Sequence, residues 1–279
     1  MNQLEKIAHE HPENYALYLE RMSISLTKST KSYLPLYTIG KTNILDVGCA
    51  DGQLMKKIQQ VNPSAYVYGI DINQQSVDKA VENGCTAYCL SIDELPLENT
   101  FDCIIFSSVL HEISSYSNEP YSTTPITNAL KRAYKLLTSD GIIIIRDGLR
   151  DTSNELCKLQ FVNKEDEQWL KRFREETQYP GYYYEASNEY VCSTSLAQEF
   201  LATWTWGPDS WDREVKERFC LLSEDYWQWI VQDAGFEIQF LSKSKEEYPK
   251  FLLPKVKIST PLGNEPFFPF MTCTIIAKK

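Results

Sequence analysis

Histidine is scarce in this chain, with three in 279 residues, at positions 9, 11 and 111. The eight cysteines (49, 85, 89, 103, 157, 192, 220 and 273) form no Cys-x-x-Cys pair. Neither a zinc site nor a disulfide framework is favoured by that pattern. His9 and His11 have no further ligand-type residue at a metal-site spacing, so they read as surface residues and no metal is expected. The cysteines, several of them inside apolar strand-like runs, read as buried reduced thiols of a cytoplasmic protein. No apolar run approaches the roughly 20 residues that span a bilayer. The N-terminus has no apolar signal core, and no membrane association is expected. Positive charge is also in short supply. The 28 Lys and Arg against 38 Asp and Glu leave a formal net charge of −10 and a pI near 5.0. That balance speaks against a broad basic groove for nucleic acid. Repeats and low-complexity tracts are missing as well.

What the chain does have is concentrated between Asn43 and Asp71. Ile44, Leu45 and Val47 suit a strand buried on both faces. The strand ends in Asp46 and the small-residue turn Gly48-Cys49-Ala50-Asp51-Gly52. A helix from about 51 to 60 follows, and a second apolar run ends in Asp71. This is a βαβ unit. The helix N-terminus faces the turn, a favourable place for an anionic group. A carboxylate about 20 residues beyond such a loop can accept both hydroxyls of a ribose.

The alternation continues. Strand-like runs at 86–90, 101–106 and 141–147 and helical runs at 74–83 and 125–137 extend it, with Thr124-Pro125 as a cap and first-turn pair. Such a pattern argues for a parallel sheet covered on both faces, with ligands at the carboxyl ends of its strands. After Glu224–Asp233, a helix stopped by Gly235, come strands at 236–241 and 271–277. The 43% hydrophobic fraction is enough for a core of this size.

Ile44-Leu45-Asp46-Val47-Gly48-Cys49-Ala50-Asp51-Gly52 resembles the first motif of class I S-adenosylmethionine (SAM)-dependent methyltransferases. The resemblance continues through Gly69-Ile70-Asp71, Leu95-Pro96, Phe101-Asp102 and Leu136 to Gly141, and covers residues 40 to 147 plus the last segments. It implies an α/β fold: a doubly wound, seven-stranded, mostly parallel sheet with an antiparallel last strand. It also implies that Gly48 and Gly52 border the methionine part of SAM, that Asp71 holds the ribose, and that Asp46 orients the loop or the amino group. Cys49, Ala50, Ile72, Ser91, Ile92 and Ser107 complete the cofactor set. Two departures stand out. Ala50 replaces a glycine found in many members, which is tolerable with ordinary backbone angles. Ser91 stands where many members have an acid near the adenine amino group.

On this reading the chain divides into an N-terminal helical cap (1–40), the SAM-binding domain (41–148 and 223–279) and an inserted helical cap on the substrate side (149–222). Tyr15 and Tyr18 in the first segment either pack on the core or form a flap over the cofactor. At the end of the fourth strand, His111 is either a general base facing the acceptor or a hydrogen-bonded loop histidine. Ser107 and Ser108 either line the methyl-transfer channel or bond the turn backbone. At the end of the fifth strand, Asp147 is read as lining the site and as a proton acceptor. Arg146 either holds an acidic substrate group or pairs internally with Asp147. The aromatics of 149–222, among them Tyr183 and Trp206, form an acceptor pocket, a small accessory core, or both.

The expected activity is methyl transfer from SAM to oxygen or nitrogen of a small-molecule acceptor. The alternatives are an RNA or protein methyltransferase, with the aromatic insertion as its recognition module, and a non-catalytic SAM-binding partner subunit.

Overall fold

The computed structural model describes residues 30–96, 98–179, 181, 183–186, 189–245, 249–262 and 265–279. The expected cap over 1–40, with Tyr15 and Tyr18, lies outside the described residues as far as position 29. Thr30–Thr38 forms a 3-10 helix with Leu34 fully buried.

Strands β1 (Asn43–Val47), β2 (Tyr66–Asp71), β3 (Thr86–Cys89), β4 (Phe101–Ser107) and β5 (Leu137–Gly148) are apolar runs, and each adjacent pair is parallel. Ile104, Ile105, Phe106, Ile143, Ile144 and Ile145 are all 0% exposed. Each such side chain contributes roughly 1.5–3 kcal/mol of burial. That is why these runs sit at the centre of a sheet. The order is β3-β2-β1-β4-β5-β11-β9, with β9 (Glu237–Ser244) and β11 (Thr272–Lys278) completing a mixed, mostly parallel seven-stranded sheet. β5 starts at Leu137 rather than at Gly141. A bulge between Phe101 and Cys103 of β4 lets Leu137 pair with Phe101 before the register resumes at Ile142.

The helices carry one apolar stripe each. α1 (Gln53–Val61) buries Leu54, Met55 and Ile58. α2 (Gln74–Glu82) is capped by the Asn73 side chain, which accepts from the N–H groups of Gln75 and Ser76. α3 (Leu110–Ser115) is a short helix after β4. α4 (Thr124–Leu136) buries Ile126, Ala129, Leu130, Ala133 and Leu136. Its cap position is Thr123, not Thr124, and no side chain caps it. Pro125 sits in the first turn, where its missing N–H costs nothing.

The chain forms two compact units. The first contains the residues up to Asp147, Asp225–Ser242 and Thr274–Lys279; the second contains Gly148–Glu224 and Lys243–Cys273. In the second, α5 (Glu167–Glu176) and α6 (Thr194–Thr205) accompany a four-stranded antiparallel sheet. Its order is β10-β6-β8-β7, from β6 (Leu156–Phe161), β7 (Tyr183–Ala186), β8 (Glu189–Ser193) and β10 (Val256–Ser259). The expectation of a helical insertion is thus corrected, since a sheet accompanies the helices. In β6 and β8 buried residues alternate with less buried ones, which is a strand period rather than a helical one. The segment after β9, expected within the SAM-binding domain, contributes β10 to this second sheet.

Candidate active site

The turn after β1 is held by backbone bonds. Gly48 and Cys49 both donate to the Ile70 carbonyl, at 2.8 and 3.0 Å, and Gly52 donates to Cys49 at 2.9 Å. Gly48 and Gly52 have φ of +72° and +79°. A Cβ on Gly48 would lie 2.5 Å from Val109, and one on Gly52 2.6 Å from the Cys85 sulfur. Both glycines are therefore required by conformation and by space. Ala50 departs from expectation. Its φ is +47°, in the left-handed region, so the backbone keeps the glycine conformation although the side chain has changed.

Asp71 closes the turn at the end of β2. One carboxylate oxygen accepts the Ala50 N–H at 3.0 Å and the other accepts the Asn73 N–H at 2.9 Å. A carboxylate has about four acceptor positions. The two backbone bonds orient the group. Ile72, next to it, is 36% exposed, whereas Ile92 is buried. Ser91 is the cap of the 3-10 turn Ile92–Glu94, engaged in a reciprocal capping box with Glu94. Its side chain thus has a structural task, which accounts for a serine at this position. Asp102 is structural too, for it accepts the N–H groups of Thr42 and Asn43 at 2.7 and 2.9 Å where β1 begins.

Asp46 is 1% exposed, and among the described residues its Oδ1 has no hydrogen-bond partner. Burial, reinforced by Asp71 and opposed by Lys31, pushes its acid up to about 7. Burial also raises the thiol of Cys49, which keeps it protonated and inert. All eight cysteines are free and seven are buried; Cys89 is exposed.

At the ends of β4 and β5 lies a second cluster. His111 belongs to the first turn of α3, not to a loop, and is 7% exposed. Its Nδ1 lies 2.6 Å from Oδ1 of Asp147, which is 0% exposed. The other Asp147 oxygen accepts the N–H groups of Leu110 and His111 at 2.8 and 3.4 Å. One carboxylate thus holds both the start of α3 and the imidazole. With Nδ1–H donating to it, Nε2 becomes the basic nitrogen. Arg146 is adjacent to Asp147 on the strand, and successive strand residues point to opposite faces. It donates to Ser108 Oγ at 2.5 Å and to Thr30 Oγ1 at 3.3 Å. Ser108 itself has φ +60° and donates its N–H to the Arg146 carbonyl at 2.7 Å. Ser107, half-buried, ends β4 opposite Arg146.

The first unit therefore brings Asp46, the 48–52 turn and Asp71 to the tips of β1 and β2. It brings Ser107, His111, Arg146 and Asp147 to the tips of β4 and β5, and β4 neighbours β1. Thr30 and Lys31 were missed by sequence reasoning; Lys31 is 5% exposed. The one available signal was their place just before the apolar run Leu34-Pro35-Leu36. Tyr183 and Trp206 lie in the second unit. Tyr183 packs edge-on against Tyr190 at 5.6 Å beneath the Arg174 guanidinium, and Trp206 packs on the same apolar core.

A sequence profile described as a methyltransferase domain matches residues 8–240. A malonyl-[acyl-carrier protein] O-methyltransferase of Bacillus anthracis is 25% identical over 117 residues, a stretch that spans 40% of this chain and 40% of that protein. Among solved structures, a Nostoc punctiforme protein provisionally assigned as an O-methyltransferase superposes with a TM-score of 0.54 at 13% identity. That superposition covers 94% of this chain and 59% of the other. The Burkholderia thailandensis 1,6-didemethyltoxoflavin-N1-methyltransferase, solved with bound 1,6-didemethyltoxoflavin and S-adenosylhomocysteine, gives a TM-score of 0.50 at 13% identity over 96% of this chain and 89% of the other.

Proposed function

The chain belongs to the class I SAM-dependent methyltransferases, and from that footing we propose that it methylates an oxygen or nitrogen of a small-molecule acceptor that gives up a proton as it reacts. The residues present fit the cofactor. The 48–52 turn is bare of side chains at both glycines, Asp71 is oriented by two backbone donors at the end of β2, and Asp46 offers a buried oxygen without a donor among the described residues. When bound, SAM supplies an electrophilic methyl on a sulfonium.

The rest of the work falls to the chain. Asp147 fixes the orientation and tautomer of His111. Nε2 then takes the acceptor's proton, and the buried Asp147 carboxylate balances the imidazolium that forms. Arg146 and Ser108 brace the adjoining strand ends. The observation that carries this reading is the 2.6 Å His111–Asp147 contact beside the strand that ends in the cofactor turn. An acceptor already anionic would not need it. The bound small molecule of the Burkholderia structure and the net acidity of this chain support a small acceptor over a nucleic acid.

Calorimetric titration with SAM tests the premise of the site. The wild-type chain is expected to bind, and Asp71→Ala to bind at least about tenfold more weakly, the loss of roughly 1.4 kcal/mol or more. Unchanged affinity in the variant would refute the ribose assignment.

A further inference from the structure

In the second unit, the stretch from Tyr248 to Asn264 holds three lysines, at 250, 255 and 257, and no acid, in a chain whose formal net charge is −10. Glu246 and Glu247 precede it and Glu265 follows. The stretch contains a short helix, Pro249–Leu252, and then β10. Leu252 is buried and anchors the helix. Its neighbours turn outward, Phe251 being 56% exposed and Leu253 50%. The Lys255 N–H closes a turn on the Leu252 carbonyl at 2.8 Å, and the Lys255 carbonyl accepts the Val162 N–H at 2.8 Å. The second bond continues the pairing of β10 with β6 and brings Val162, 53% exposed, to the same rim. Lys250, Lys255 and Lys257 are exposed as well. The Lys255 ammonium lies over the Trp204 ring, 5.0 Å from its centre, which holds it in place without neutralising it. Among the described residues no carboxylate pairs with any of the three lysines.

A singly exposed apolar side chain is ordinary. A rim of apolar side chains interleaved with lysines is not. Protein interfaces are enriched in Tyr, Trp, Met and Arg and depleted in Lys. Here Phe, Leu and Val stand beside lysine alone. That composition suits the headgroup region of a bilayer, where apolar side chains sink below the surface and lysine ammonium groups stay level with the phosphates. We propose that this rim, Phe251 and Leu253 with Lys250, Lys255 and Lys257, docks the protein on a lipid surface rich in anionic headgroups. Each lysine at such a surface is worth about fivefold in affinity. A chain of net charge −10 is otherwise repelled by an anionic bilayer, so docking uses this face and weakens with salt. The proposal amends the expectation of no membrane association, which rested on the lack of a spanning run and of a signal core. A surface rim leaves neither mark in a sequence.

The test is co-sedimentation of the full chain with sucrose-loaded vesicles of phosphatidylcholine alone and of phosphatidylcholine with about a third phosphatidylglycerol. Wild type is expected to bind the anionic vesicles at least about tenfold more tightly and to leave them at high salt. Lys250→Gln combined with Lys257→Gln is expected to lose about tenfold or more on the anionic vesicles. Phe251→Ser combined with Leu253→Ser is expected to lose about tenfold as well, while the salt dependence stays. All four side chains are exposed, and circular dichroism checks that each variant folds; if one pair does not, the other decides. Wild type that ignores the anionic vesicles overturns the proposal, as does equal binding to the two vesicle types or undiminished binding by either folded variant. Wild type that binds soluble poly-glutamate but neither vesicle overturns it in favour of an acidic polypeptide partner.

Discussion

Replacing Asp46 by Asn removes a charge whose burial has a calculable consequence for stability. In the folded chain this carboxylate is 1% exposed and lies near Asp71, and its pKa rises from the ordinary 3.8 to about 7. Burial is the largest cause and Asp71 the second, with Lys31 opposing. In the unfolded chain the group titrates near its ordinary value. Below about pH 4 both states hold the proton, and the stability contributed by the protonated, buried acid is fully present. Between there and about pH 7 the unfolded chain has released the proton while the folded chain retains it, so stability falls as pH rises. Above about pH 7 both states are ionised and the loss is complete. At ~1.36 kcal/mol per pH unit, that window corresponds to about 4 kcal/mol, of which relaxation around the charge leaves roughly 2–4. The amide of Asp46→Asn cannot ionise. Its packing cost, whatever the size, is the same at every pH. The stability of the variant relative to wild type should therefore climb by about 2–4 kcal/mol between pH 4 and pH 8. Urea denaturation of both proteins without ligand at pH 4, 6 and 8 measures this directly. A difference that stays flat within about 0.5 kcal/mol would refute the burial argument.

Ala50→Gly should stabilise the chain by up to about 1 kcal/mol, because relief of the left-handed alanine outweighs the added freedom of glycine in the unfolded state. A lower urea midpoint in that variant would count against the +47° backbone angle. His111→Ala should cut turnover by about 10²–10⁴ while leaving SAM affinity within about twofold, once an acceptor is in hand. Asp147→Asn should reduce turnover as well, since the amide cannot hold the same tautomer, and wild-type rates in either variant would remove the pair from the mechanism.

The first unit was legible in the sequence because its strands are continuous apolar runs that end in chemically distinctive residues. Ile44–Val47 leads into Asp46 and two glycines, and Ile142–Ile145 leads into Arg146 and Asp147. Buried parallel strands leave that signature, and ligands gather at their ends. The second unit was not legible. Leu156–Phe161 and Glu189–Ser193 mix Lys, Gln, Cys and Glu with apolar residues over five or six positions, and antiparallel pairing with partners far along the chain decides their conformation. Arg146 bonds Ser108 and Thr30 while Asp147 bonds His111, in keeping with neighbours on a strand facing opposite ways. Lys31 gave no periodic signal at all. Its neighbour Thr30 accepts a hydrogen bond from Arg146, 116 positions away, which no local pattern records.

The carboxylate that ends β5 anchors the backbone of α3 and the ring of His111 at once. Any shift of that helix start would carry the imidazole with it, so the aim of the His111 ring is inherited from the frame of the sheet and not from the flexibility of a loop.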